Sequence, residues 1–127
     1  MRILFLLLFS IIFSLNSYAK WVKTGVNSFG DTDYIDIERI KKIDGHIYYW
    51  ILIDYPNPTE WGDMSATISM KGDCELNRVK YLSFIYSKKS MGEGKKELSS
   101  PSQPKWKFLT PGSGAEYQLK LMCQLFE

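Results

Sequence analysis

Apolar positions recur at every second residue through much of residues 65–86, SATISMKGDCELNRVKYLSFIY, on either side of a polar break. Side chains on a strand alternate between its two faces, so this spacing predicts a β-hairpin. The turn is expected through Lys71, Gly72 and Asp73, with a second strand from Val79 to Tyr86 and Cys74 at the tip. Upstream, His46 to Asp54 is apolar at both parities: Tyr48, Trp50 and Leu52 on one face, Ile47, Tyr49, Ile51 and Ile53 on the other. A strand covered on one side would alternate, so this one is expected at the centre of a sheet with something packed on each face. Asp44-Gly45 before it tolerates the positive φ of a tight hairpin turn. Pro56 and Pro58 after it stop the ladder, because proline has no N–H to donate.

The flanks carry weaker patterns. Trp21 to Val26 reads as an edge strand, turned by Phe29-Gly30-Asp31. Asp33 to Asp36 reads as a short extended piece and Ile37 to Ile40 as one helical turn. Residues 56–63 form a loop that carries Trp61. Residues 87–105 hold two apolar side chains, Met91 and Leu98, among lysines and serines, and are expected as a long loop or, around residues 95–98, a weak edge strand. Trp106 to Leu109 returns to extended structure. The C-terminal stretch fits two periods: Tyr117, Leu119, Leu121 and Cys123 alternate, while Ala115, Leu119, Met122 and Phe126 stand at helical spacing. Ser113 with Glu116 three residues on is a capping box, which decides for a helix over residues 114–123.

Residues 1–19 read as a secretory leader: Arg2, an apolar run from Ile3 to Phe13, then small residues at Ser17 and Ala19. The run is far short of the roughly 20 residues of a spanning helix, and no transmembrane segment is expected in the mature chain. The domain is then 20–127, enough for one modest core. The full chain has 16 basic and 14 acidic residues, and Arg2 is the only charge in the leader, so the mature chain is almost neutral. That balance gives no overall drive toward nucleic acid. Two cysteines in an exported chain of this size read as one disulfide, Cys74–Cys123, with two free buried thiols as the alternative. The fold class is α+β: a mainly antiparallel sheet of about five to six strands with one C-terminal helix packed on it.

Candidate chemistry is sparse. His46 is the only histidine and no nucleophile motif accompanies it. Two Cys and one His cannot close a zinc site. Asp31, Asp33 and Asp36 begin like a calcium loop, but Ile35 fills the third ligand slot, Asp36 the glycine position and Lys42 the twelfth. No catalytic, cofactor-binding or metal-binding residue is assigned, and no cofactor is expected. The charge-biased surface is the lysine run of residues 87–105. Lys88, Lys89, Lys95 and Lys96, with the aromatic Trp61, are the candidate partner-binding residues, although a solvated loop is the commoner meaning of such a run.

Several features follow one another over nearly the whole mature domain. They are Trp21-Val22, Tyr34-Ile35-Asp36 with Ile40 following, Trp50…Asp54-Tyr55, Ser65, Asp73-Cys74 with Arg78, and Leu82-Ser83. Met91-Gly92-x-Gly94, Trp106, Pro111-Gly112-Ser113 and a terminal helix ending in Cys123 complete the series. In this order and spacing the chain resembles the surface-adhesin protein E family of Gram-negative bacteria. The resemblance implies a disulfide-closed exported sheet domain whose role is adhesion to host matrix or plasma proteins. Family adhesins are tied to the outer membrane as lipoproteins, whereas no cysteine stands near this leader's end, so no lipoprotein anchor is expected. The expectation is a non-enzymatic binding module with a protein partner, periplasmic, secreted or at the cell surface, with a homodimer allowed. The alternative is a periplasmic protein acting on an endogenous envelope protein, as an inhibitor or assembly factor.

Overall fold

The computed structural model describes residues 20–126; the leader expected over residues 1–19 lies outside them. The strands are β1 (Trp21–Val26), β2 (Thr32–Asp36), β3 (Lys41–Ile43), β4 (His46–Asp54), β5 (Ser65–Asp73), β6 (Arg78–Ser87), β7 (Lys96–Ser99) and β8 (Lys107–Phe108), followed by helix α1 (Gly114–Leu125). They form one antiparallel sheet in the order β1-β2-β4-β5-β6-β7. β3 continues the β2 side of β4, and β8 continues the β7 side of β6. Eight strands thus occupy six lateral positions, which is why counting apolar runs gives five to six.

Asp44 and Gly45 turn β3 into β4 with φ of 51° and 79°, as the Asp-Gly pair predicts. The central β4 carries Ile47, Tyr49 and Ile51 toward α1, whose Leu119 and Met122 close a core with Ile35, Ile68, Met70 and Val79. Ser113 accepts a hydrogen bond from the Glu116 N–H at 3.2 Å, and the Glu116 carboxylate accepts from the Gly112 N–H at 3.0 Å. The helix that this cap starts runs two residues past the expected end. Cys74 and Cys123 are disulfide-bonded with Cα atoms 6.0 Å apart, fastening α1 to the β5–β6 turn.

The structure corrects three expectations and decides between two readings of a fourth segment. The β5–β6 turn lies at residues 74–77, beyond Lys71, Gly72 and Asp73. Asp73 Oδ1 accepts from the N–H groups of Glu75 and Leu76, and Asn77 takes a φ of 52°, so the turn chemistry belongs to Asp73 and Asn77. Gly72 sits instead beneath the helix, where a Cβ would lie 2.4 Å from a Leu119 methyl. Residues 37–40 form a bend, because the Asp36 carboxylate accepts from the Glu38 N–H and from Arg39. Of the two readings of residues 87–105 the edge strand holds: β7 spans Lys96–Ser99 at the sheet's edge, after a 3-10 turn at Ser90–Gly92. The third correction concerns the second face of β4. It is covered only at one end, where the Met91-Gly92 turn seals Leu52, while Trp50 stays half-buried.

Candidate binding face

The sheet face opposite α1 collects the polar and aromatic residues of alternate positions. Register places Trp50 beside Ser69, Tyr48 beside Lys71 and His46 beside Asp73. One strand further, Lys71 stands directly opposite Lys80, and Asp73 opposite Arg78. Paired residues on neighbouring strands share a face, so this side presents Tyr48, Trp50, Lys71, Arg78 and Lys80 together.

Two clusters occupy it. At one end Trp106, arriving just before β8, lies among cations: the Arg78 guanidinium is 4.2 Å from the indole centroid, the Lys80 ammonium 4.7 Å and the Lys71 ammonium 5.6 Å. The His46 ring centroid is 5.3 Å away. Arg78 is ion-paired with Asp73 at 2.9 Å. Burial pushes the Asp73 carboxyl up, but Arg78 and the N–H groups of Leu76 and Glu75 outweigh it and hold the pKa below the ordinary value. Lys71 and Lys80 have no ion-pair partner among the described residues.

At the other end Arg39 lies between two indoles, 4.9 Å from the Trp50 centroid and 5.7 Å from that of Trp21. Its Nε donates to Asp36, a fully buried carboxylate. Burial raises the Asp36 pKa, and hydrogen bonds from Arg39, the Glu38 N–H and the Lys20 N–H bring it below the ordinary value. A cleft of about 680 Å³ opens between this stack and the 3-10 turn, walled by Ile85, Met91, Glu93 and Lys96. Met91 holds a φ of 58°, uncommon for a side chain of its size. Bonds from the Met91 N–H to Asp54 and from the Gly92 N–H to the Ser65 hydroxyl fix that wall.

The four lysines expected to meet a partner share one tight hairpin, in which the Lys88 N–H donates to the Lys95 carbonyl at 2.9 Å, but their surroundings differ. Lys88 is a strut: its ammonium donates to the Trp61 carbonyl at 2.8 Å and pairs with Asp63 at 2.9 Å. Trp61 is 73% exposed and lines a recess with Tyr55, Tyr86 and Glu97, on the side of the sheet that carries α1. Lys96 joins the cleft wall on the opposite side, and Lys89 and Lys95 are exposed near the 3-10 turn. Among the described residues, no group of three or more His, Cys, Asp or Glu side chains is placed to hold a metal ion. Arg39, Lys71, Arg78, Lys80 and Trp106 are not among the candidate binding residues read from the sequence, where Arg78 and Trp106 figure only in the family resemblance and Lys71 only in the expected turn. Once the turn is centred on residues 75–76, though, strand parity alone pairs Lys71 with Lys80.

The family model described as surface-adhesin protein E matches residues 21–124. The chain belongs to the surface-adhesin protein E family. Three structures of Haemophilus influenzae protein E share the fold. One aligns with a TM-score of 0.63 at 15% identity, covering 87% of this chain and 89% of that one. Its selenomethionine form gives 0.62 at 15% identity, with coverage of 86% and 89%. A second crystal form gives 0.59 at 16% identity, with coverage of 87% and 98%. No curated protein matches the chain. The surface-adhesin protein E fold is therefore retained here at an identity that leaves the surface largely this chain's own.

Proposed function

We propose that this member of the surface-adhesin protein E family is a non-enzymatic, exported binding module that holds an acidic surface of a protein partner on its helix-free face. The observation that carries the reading is the Lys71–Lys80 pair. Like charges directly opposite each other across two strands are destabilising. Here they stand side by side without a carboxylate, next to a half-buried indole and a paired Arg78. Trp and Arg are among the residues that most often carry binding energy at protein interfaces, and Trp106 and Arg78 stand beside the lysine pair. An acidic partner relieves the repulsion and meets two cations that no carboxylate already holds. The family points to host matrix or plasma proteins as the partner class, and to export and surface exposure of the module.

The test measures binding of the mature domain to immobilised matrix and plasma proteins, beside the double variant Lys71→Ser/Lys80→Ser. Binding that the variant loses while it remains folded supports the reading. Equal binding by both proteins overturns it. Protease shaving of intact cells addresses the site of action. A soluble, shaving-resistant periplasmic protein would overturn adhesion and leave an envelope partner.

A further inference from the structure

The geometry points to a second ligand site at the opposite end of the same face: the cleft between Trp21, Arg39, Trp50 and the Met91 turn takes an amphipathic carboxylate, its charged end on Arg39 and its apolar body against Ile85 and Met91. This inference does not depend on the Lys71–Lys80 reading.

Arg39 is held before any ligand arrives. A fully buried carboxylate, Asp36, accepts its Nε–H, and two indoles flank the guanidinium. An arginine otherwise gives up much side-chain freedom on binding, and one already fixed loses little more. The single hydrogen bond uses one of five N–H donors. Among the described residues the four on the terminal nitrogens have no protein acceptor. A planar fork of free donors suits a carboxylate, which accepts two parallel bonds. A wall of Trp50, Ile85 and Met91 with few polar groups is the usual composition of a pocket for a small organic ligand, and about 680 Å³ lies within the usual range. Lys96 adds a cation to the rim, and Glu93 is the one acid lining it. The buried Asp36 carboxylate marks the stack as a built feature, because a buried charge must be paired.

Two sources offer this chemistry, a free acid with a short hydrocarbon body and a glutamate beside apolar residues in a peptide. Octanoate and its neutral match octanamide represent the first. The blocked peptides Ac-Leu-Glu-Leu-NH2 and Ac-Leu-Gln-Leu-NH2 represent the second. Each is titrated into the mature domain while the four indole N–H signals are followed by NMR. The expected result is saturable movement of the Trp21 and Trp50 signals, with those of Trp61 and Trp106 unmoved, by at least one carboxylate and tenfold more weakly by its amide. Which acid binds names the source. Arg39→Lys keeps a charge for Asp36 but removes the fork, and should weaken binding about tenfold. Glu93→Gln, at an exposed side chain, should tighten it two- to fivefold. Equal binding of acid and amide, no binding of either acid at 10 mM, unchanged affinity in Arg39→Lys, or weaker binding in Glu93→Gln would each overturn the site. If Arg39→Lys melts early, the amide comparison and Glu93→Gln decide.

Discussion

Gly72 shows how a single residue type carries different meanings. Its place between Lys71 and Asp73 suggests a turn, but its role is steric. A Cβ there would stand 2.4 Å from Leu119 Cδ1, 2.9 Å from Ile47 Cγ2 and 3.2 Å from Tyr49 Cε1. Leu119 is buried and its helix is tethered by the disulfide, so the helix cannot simply lift. Gly72→Ala is expected to destabilise by about 1–3 kcal/mol, the range for overpacking. Adding Leu119→Ala should recover part of that loss, seen as a non-additive double-mutant cycle in urea unfolding. Strict additivity would mean the two residues do not compete for space. Trp50 makes the contrasting case. Its apolar neighbours in sequence suggest full burial, yet it is half-buried under Arg39. Trp50→Ala should therefore cost about 2 kcal/mol, below the 3–5 kcal/mol of a sealed aromatic.

Three carboxylates organise local structure at the scale of the elements. Asp36 makes the bend after β2, Asp73 caps the β5–β6 turn, and Glu116 secures the start of α1 through the Gly112 N–H, Asn77 and Lys120. All three have pKa values below the ordinary carboxylate range; for Glu116 the Gly112 N–H is the leading cause. A depressed pKa means the folded state prefers the ionised form. Its contribution is present above the unfolded value near ~4 and is lost as pH falls through the folded value. Asp33 has the opposite sign: burial and Asp31 raise its pKa, so acid relieves a cost there. With three groups against one, stability should hold from pH 8 to 5 and decline below about pH 4. Asp73→Asn should be less stable at pH 7 and show a shallower decline. A decline as steep as that of the wild type would show that Asp73 does not contribute.

The turn chemistry of Asp44-Gly45 and the Ser113–Glu116 cap could be read directly, because each depends on residues within four positions. The 74–77 turn could not. The Lys71-Gly72-Asp73 signal is genuine turn composition, overridden by a long-range fact, the passage of α1 over Gly72. That error shifted the register of the hairpin, and with it went any view of Lys71 facing Lys80. The Arg39 stack was out of reach for the same reason, since Trp21, Arg39 and Trp50 meet only through the β1-β2-β4 order. The lysine run stays together in space on the hairpin that joins β6 to β7, but its side chains do different work, which its sequence does not show: Lys88 braces the Trp61 loop and Lys96 lines the cleft.

At the scale of the whole molecule, the disulfide and the helix brace one face and leave the other without a helix over it. The bridge closes a span of 49 residues, worth about 4 kcal/mol in the chain-entropy account. Losing it should therefore weaken binding only through loss of fold. Lys71 and Lys80 should behave in the reverse way. Their mutual repulsion costs roughly 0.2–1 kcal/mol, and their contacts with Trp106 return roughly 0.5–1 kcal/mol per cation at exposed sites. The two contacts together outweigh the repulsion by roughly 1 kcal/mol, so Lys71→Ser/Lys80→Ser should lower the unfolding free energy by about that much and leave the protein folded. Binding to an acidic partner should drop, and the wild-type interaction should weaken as added salt shortens the Debye length below its physiological ~8 Å. The matched control is Lys89→Ser/Lys95→Ser, which removes the same charge from the rim of the 3-10 turn. If net charge were the whole attraction, both double variants would lose affinity equally. If the face beside Trp106 makes the contact, only Lys71→Ser/Lys80→Ser loses it, chiefly through faster dissociation, while the control changes the association rate alone. Surface plasmon resonance at two salt concentrations separates the two cases, and equal losses would return the binding site to the lysine run.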